Sequence, residues 1–275
     1  MRPANLETPS IHKRGPKPTA RLVACTPDPL FTVWYAWHFS RDQDFTDAHG
    51  YDPDVTRNSR VMRPSDKELE QFFKQAISEW APVTELVHFT FACSNVPRAL
   101  LDQMTRHRLW TFFVQSMRVA NMADFYLCRE FFIPDAVTEV GREAEEMYDD
   151  AMKDAAAHYR KLLGVGVPIE DARGVLPLHC NTRLIVGCNM RAFKDAVQKR
   201  TCWILQQQYW APLLASMRNE LVMKVHPMMA ELFAAPCELP GGKCLTWIEQ
   251  EYRMRGEDPN PPCPKHPAYK EGRSP

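Results

Sequence analysis

The segment from Pro134 to Leu163 constrains this chain most. Apolar residues recur there at helical spacing over about thirty positions, and Gly164-Val-Gly166 stops the pattern. It is the longest helical pattern in the sequence. Further helices are expected around it. Ser65 and Glu68 form a capping box, and behind it Leu69, Phe72, Phe73, Ala76, Ile77 and Trp80 fall on one face, predicting a helix over 66–80. Another opens near Pro97, carries Leu100, Leu101 and Met104, and ends around Arg108. Two more cover 189–199 and 203–233, with Pro212 and Pro227 expected to kink or divide the second. Strand signals are few: Arg21–Cys25, followed by the turn-forming Thr26-Pro-Asp-Pro29, and the β-rich Leu86–Ala92. The polar, Asp-rich stretch 41–64 reads as a loop, and no internal repeat is present. The expectation is an α+β domain, helix-rich, with a small sheet.

Composition bounds what such a domain does. The chain has 275 residues, long enough to bury a sizeable core, and 34 basic residues balance 34 acidic ones. No global field draws it to nucleic acid or anionic membrane, so any anion site is local. No apolar run of about 18 residues exists to span a bilayer. Nine scattered cysteines fit reduced thiols, and with the absence of a secretory signal they point to a cytoplasmic location. The expected organisation is a flexible arm over 1–19, one catalytic domain over 20–235, and a largely irregular extension over 236–275.

Three clusters carry chemistry. Arg106-His107-Arg108 places two guanidiniums about an imidazole, a dense cation that is costly unless an anion or carboxylate sits against it; the bland alternative is a solvated turn. Ser116 and Arg118 share a face if their segment is extended, and a hydroxyl beside a guanidinium suits a phosphate; the same pair is also common on plain surfaces. Ala172-Arg173-Gly-Val-Leu-Pro177 is followed by Asn189, Arg191, Asp195 and Arg200, which share no single helical face. They serve different parts of a large ligand or of a neighbouring subunit, unless they are ordinary ion-paired helix surface.

Together these residues resemble a family. Arg-His-Arg, seven residues, Ser, one residue, Arg is the signature of the flavin-dependent thymidylate synthases, and here it reads RHR-LWTFFVQ-S-M-R. Phe89-Thr-Phe91 and Gln103 before it, Phe131-Phe-Ile-Pro134 after it, and the later block Ala172–Leu178, Asn181-Thr-Arg183, Asn189-Met-Arg191 and Arg200 are similar too, so the resemblance runs from about Arg21 to Phe233. The resemblance implies a ThyX-like fold with a small, mostly antiparallel sheet and a homotetramer with active sites between subunits. It implies FAD held by Arg106, His107 and Arg108 and by Asn189 and Arg191, with Asp195 standing where the family has an asparagine. It implies a pyrimidine nucleotide monophosphate held around Gln103, Arg106, Gln115, Ser116, Arg118 and Arg173. Arg200 would lie at the pyrimidine ring and polarise it. NADPH would reduce the flavin, methylenetetrahydrofolate would supply the carbon, and dUMP would become dTMP. A guanidinium beside N3 and O2 pushes electron density to C5 without covalent attack, so no activated cysteine is required and Cys93, Cys128, Cys180, Cys188 and Cys202 are expected only to pack.

The chain departs from that pattern in places. Trp80-Ala-Pro82 and Glu85-Leu86 stand where the family carries a His-x-Ser/Thr segment and a Glu-His pair, so only the glutamate survives. Val114 replaces a glutamate and can accept no hydrogen bond. Asp195 only accepts, where an amide both donates and accepts; it either retunes the base that is read or pairs with Lys194, Lys199 or Arg200. These changes admit a related enzyme acting on dCMP or UMP, a hydroxymethylated product, or a catalytically degenerate nucleotide-binding relative. Cys237, Cys244, Cys263 and His266 have spacings unlike common zinc modules, so no metal is expected. Arg-rich and aromatic residues near Trp110 and Phe112 also suit nucleic acid, but neutral net charge and the lack of a basic stripe oppose it.

Overall fold

The computed structural model describes residues 16–40, 64–79, 81–201 and 209–235. Most of the expected N-terminal arm, all but the last residue of the loop over 41–64, Trp80, Cys202 and the C-terminal extension with its three cysteines and His266 lie outside the described residues.

Four antiparallel strands make one sheet: β1 (Thr19–Cys25), β2 (His88–Pro97), β3 (Trp110–Val114) and β4 (Asn181–Asn189), in the spatial order β1-β2-β4-β3. The register fixes which face is core. Phe89 pairs Cys188, Phe91 pairs Val186 and Trp110 pairs Cys188, and all five side chains are buried on the same side. Their neighbours Thr111, Phe113, Arg183 and Ile185 point the other way and are exposed. Edge strand β1 is covered. Leu22 N–H donates to Glu220 Oε2 at 2.7 Å, and Ser216 bonds both the N–H and the carbonyl of Ala20, all from the helix laid across it.

The helices pack in two groups. α1 (Pro29–Phe39), α2 (Asp66–Glu79) and α3 (Arg98–Met104) join the main core on the sheet. The capping box on α2 is as expected: Glu68 Oε2 accepts from Ser65 N at 2.8 Å, and Ser65 Oγ accepts from Glu68 N at 3.4 Å. The long pattern after Pro134 is two helices instead of one, α4 (Asp135–Val140) and α5 (Arg142–Gly164). Gly141 between them has φ 125°, a conformation outside the helical region, and it turns the chain there. α5 packs with the short α6 (Ile169–Ala172) and the 117–131 loop on a second apolar cluster around Met117, Phe125, Phe131, Met152 and Tyr159. α7 (Met190–Arg200), α8 (Trp210–Lys224) and α9 (Met229–Leu232) return to the main core. Pro212 is accommodated in the first turn of α8, where its missing N–H costs nothing, and Pro227 separates α8 from α9. α1, β3 and β4 carry no counterpart among the sequence expectations, and β2 starts at His88, after a 3-10 segment over Ala81–Leu86.

Candidate functional site

The Arg-His-Arg signature is a tight turn, not the end of a helix. α3 stops at Met104, Arg106 N donates to Gln103 O at 3.3 Å, His107 N to Met104 O at 2.9 Å, and Trp110 N to His107 O at 3.1 Å. The turn throws Arg106 and Arg108 into solvent and folds His107 inward, half-buried. Its ring lies 5.2 Å from Trp110 and meets Trp210 edge-on at 5.6 Å. From the last turn of α7, Arg200 Nε reaches His107 Nε2 at 3.4 Å, and its guanidinium sits 5.1 Å from the centre of the Trp210 ring. Because Nε2 accepts, the His107 proton is on Nδ1. Burial, then the charges of Arg200 and Lys199, hold His107 below the usual imidazole range, so it is a neutral acceptor at physiological pH. Gln103 completes this set: its Oε1 accepts from Trp210 Nε1 at 2.7 Å, and its Nε2 lies 3.5 Å from the Tyr209 hydroxyl. Behind Tyr209, the His179 ring lies 6.1 Å away and bonds the Tyr148 hydroxyl through Nδ1. Burial lowers His179 and raises Tyr148, so that pair is neutral as well.

At the same end of the sheet, β4 runs into α7. Asn189 caps the helix, its Oδ1 accepting from Ala192 N at 2.8 Å, so what it offers a ligand is its Nδ2 donor. Arg191 in the first turn pairs with Glu85 at 2.6 Å; both are part-exposed. The glutamate that survives from the altered 80–86 segment is therefore tied to an arginine of the later block. Asp195 lies exposed on α7. Its charge acts on its neighbour Lys194, whose pKa burial lowers and Asp195 raises.

The phosphate-type residues stand elsewhere. Gln115 follows β3, its N–H on Arg183 O at 2.8 Å. Ser116 and Arg118 are not in an extended segment: Ser116 O accepts from Val119 and Ala120, which closes a turn, and Ser116 Oγ accepts from Arg118 N at 3.2 Å. The buried Met117 draws the chain down onto the second core and forces that turn. Arg118 forks onto Glu170 Oε2 through Nε at 2.9 Å and NH2 at 2.6 Å, and Arg173 Nε reaches the Glu170 carbonyl at 2.9 Å. Glu170 thus gathers the two arginines. Beneath them the loop is stapled to α5 by Asp149, which accepts from Arg129 NH1 and from the Tyr126 hydroxyl at 2.5 Å each. Burial and this bond push the Tyr126 hydroxyl up to about 12.

The structure therefore brings Gln103, His107 and Arg200 together, and separately Ser116, Arg118 and Arg173. β3 lies between the two sets along the chain, and its five residues span roughly 13 Å at ~3.3 Å per step. Trp210, Tyr209, Tyr148, His179 and Glu170 carry no local sequence signal; their partners lie as much as 107 residues away. Cys93, Cys180 and Cys188 are buried, and burial pushes Cys93 and Cys180 up to about 12 and Cys188 higher, so none supplies a thiolate. Cys128, expected to pack, is exposed. Among the described residues no three metal-ligating side chains cluster, and no helix is long and apolar enough to cross a membrane.

Comparison with known proteins places the chain in a family. Residues 21–228 match the family model described as thymidylate synthase complementing protein. A flavin-dependent thymidylate synthase of Sulfurisphaera tokodaii is 31% identical over 223 residues, covering 79% of this chain and 78% of that protein. One from Saccharolobus solfataricus is 29% identical, covering 80% and 78%, and one from Nitratidesulfovibrio vulgaris is 26% identical, covering 82% and 90%. The fold is that of a UMP/dUMP methylase, PolB from Streptomyces cacaoi, solved with 5-Br dUMP: TM-score 0.60, 20% identity, 78% of this chain and 94% of that one. The chain belongs to the thymidylate synthase complementing protein family. Its members named here are flavin-dependent thymidylate synthases.

Proposed function

We propose that this chain is a flavin-dependent thymidylate synthase that methylates C5 of dUMP. The observation that carries the reading is Arg200, held over the Trp210 face and against a neutral His107, within a chain whose nucleotide signature is intact. A guanidinium fixed in this way has a set direction and, among the described residues, no carboxylate paired with it. Placed at N3 and O2 of a pyrimidine it stabilises the negative charge that develops when C5 acts as a nucleophile. The aromatic side chains around it keep water from that charge. Arg118, Arg173 and Ser116 grip the phosphate, which has to exchange with the Glu170 carboxylate on Arg118; Gln103, Arg106 and Gln115 hold the nucleotide's other polar edges.

The donor set suits FAD. Arg106 and Arg108 are exposed, Arg191 is part-exposed and Asn189 offers an amide donor, all at one end of the sheet and matched to a pyrophosphate. When bound, the flavin supplies hydride, with NADPH as its reductant and methylenetetrahydrofolate as the carbon donor. In this reading the two residue sets meet across an interface: one copy lends Arg106 and Gln103, another lends Ser116 and Arg118, in a homotetramer. The catalytic domain is the 20–235 unit.

The test is a substrate panel. Protein with FAD, NADPH and methylenetetrahydrofolate is offered dUMP, dCMP and UMP, and products are identified by mass. Conversion of dUMP to dTMP is expected. Inert dUMP with turnover of dCMP or UMP, or a product heavier by one oxygen, would replace this reading with the one suggested by Val114 and Asp195. Failure of every nucleotide to turn over, in a protein that takes up no FAD, would leave a degenerate binding relative.

A further inference from the structure

Trp210 touches three of the expected site residues at once and belongs to none of the motifs. It is fully buried at the first turn of α8, beside Tyr209. An indole N–H only donates. The atom of Gln103 that faces it at 2.7 Å is therefore the carbonyl oxygen, and the amide cannot turn over without setting two donors against each other. Gln103 is in this way fixed with Nε2 directed away from the indole, where one of its two N–H groups faces the Tyr209 hydroxyl at 3.5 Å. The face of the same ring carries the Arg200 guanidinium at 5.1 Å, and His107 meets the ring edge-on at 5.6 Å. We propose that Trp210 is the positioning residue of the nucleotide site: its N–H holds Gln103 as a hydrogen-bond donor to the nucleotide, and its ring is the platform for Arg200.

The inference rests on the dUMP reading and makes separable demands. Trp210→Phe keeps an aromatic ring but loses the N–H together with the five-membered half of the indole. Its dissociation constant for dUMP should rise roughly three- to tenfold, with a smaller loss of kcat than in Trp210→Leu, which keeps no ring. Gln103→Ala should cost a similar factor, and the double variant should be no worse than Gln103→Ala alone, because both remove one interaction. Trp210→Leu should lower kcat as well, since the platform is gone. Gln103→Glu leaves Trp210 untouched and still accepts from the indole, but it offers no donor; it should bind dUMP as poorly as Gln103→Ala. Binding by calorimetry and steady-state kinetics, on protein loaded with FAD, read all four. Wild-type affinity in folded Trp210→Phe, additive losses in the double variant, or wild-type affinity in Gln103→Glu would each overturn the inference while the dUMP reading stands. A wild-type protein that binds no dUMP overturns both.

Discussion

The two apolar cores of this protein do different work. The main core, around the sheet, holds its functional groups by aromatic enclosure: His107 and Arg200 sit among Trp110 and Trp210, with an imidazole kept neutral by burial. The second core, under α5, holds its groups by two ion pairs and their hydrogen bonds: the Glu170 carboxylate takes Arg118 while its main-chain carbonyl takes Arg173, and Asp149 staples Arg129 and Tyr126 below them. The first arrangement suits chemistry, where a fixed charge must act in a dry setting. The second suits grip, since an exposed ion pair exchanges readily with phosphate. The contrast teaches that the two regions fix their polar groups by different means, one by aromatic packing and one by carboxylate contacts.

The sharpest break between them is expected at Arg200. Arg200→Ala should lower kcat by roughly 10²–10³ and leave flavin content intact, as measured by single-turnover kinetics; a loss seen only in KM would mean that the main core grips as the second does. Next in size is Asp149→Ala. It strands Arg129, whose side chain is only 15% exposed, and should cost about 3–5 kcal/mol of stability. The melting midpoint should fall and KM for dUMP rise, while flavin retention is unchanged. If flavin is lost with the nucleotide, the two cores are not independent.

The pH response should come from the main core. His107 and His179 are both lowered in the folded protein, chiefly by burial, so the unfolded chain takes up protons first. Their contribution is present above the ordinary imidazole value and is lost as pH falls through their lower folded values. Stability should decline on the acid side, and protonated His107 should release Arg200 and reduce turnover; His107→Gln should flatten the acid limb of turnover and remove only its own share of the stability limb, leaving that of His179. The smallest effect is expected at Glu170. Glu170→Gln removes a carboxylate that competes with phosphate for an exposed arginine, so dUMP should bind about two- to fivefold more tightly by calorimetry, and weaker binding would make Glu170 an organiser and not a competitor.

Much of this was legible in the residues. The capping box Ser65/Glu68 and the α7 pattern have local causes, and the signature from Arg106 to Arg118 pointed to the family. Other features were hidden for physical reasons. α1 is apolar nearly all round, so no period marks it. β4 alternates Leu184, Val186 and Cys188 inward against Arg183 and Ile185, but that alternation is short and flanked by the polar Asn181-Thr182 and Asn189, which mask it as a strand. The break at Gly141 depends on a single backbone angle. The expectation that Ser116 and Arg118 share an extended face failed because Met117 between them is a core residue, which local polarity did not reveal. Trp210 and Glu170 act through partners far along the chain, and no window of sequence contains both ends of such a contact.

The central claim, that one working site takes its halves from two copies of the chain, is tested most directly by mixing. Arg106→Ala and Arg118→Ala, each expected to be nearly inactive, are denatured together in equal amounts and refolded, and dTMP formation is measured. If each site draws Arg106 from one copy and Arg118 from another, random assembly restores both to about a quarter of the sites, and activity should recover to that level. Mixtures as inactive as the two parents, with both variants folded and assembled, would place the whole site within one chain and contradict the account.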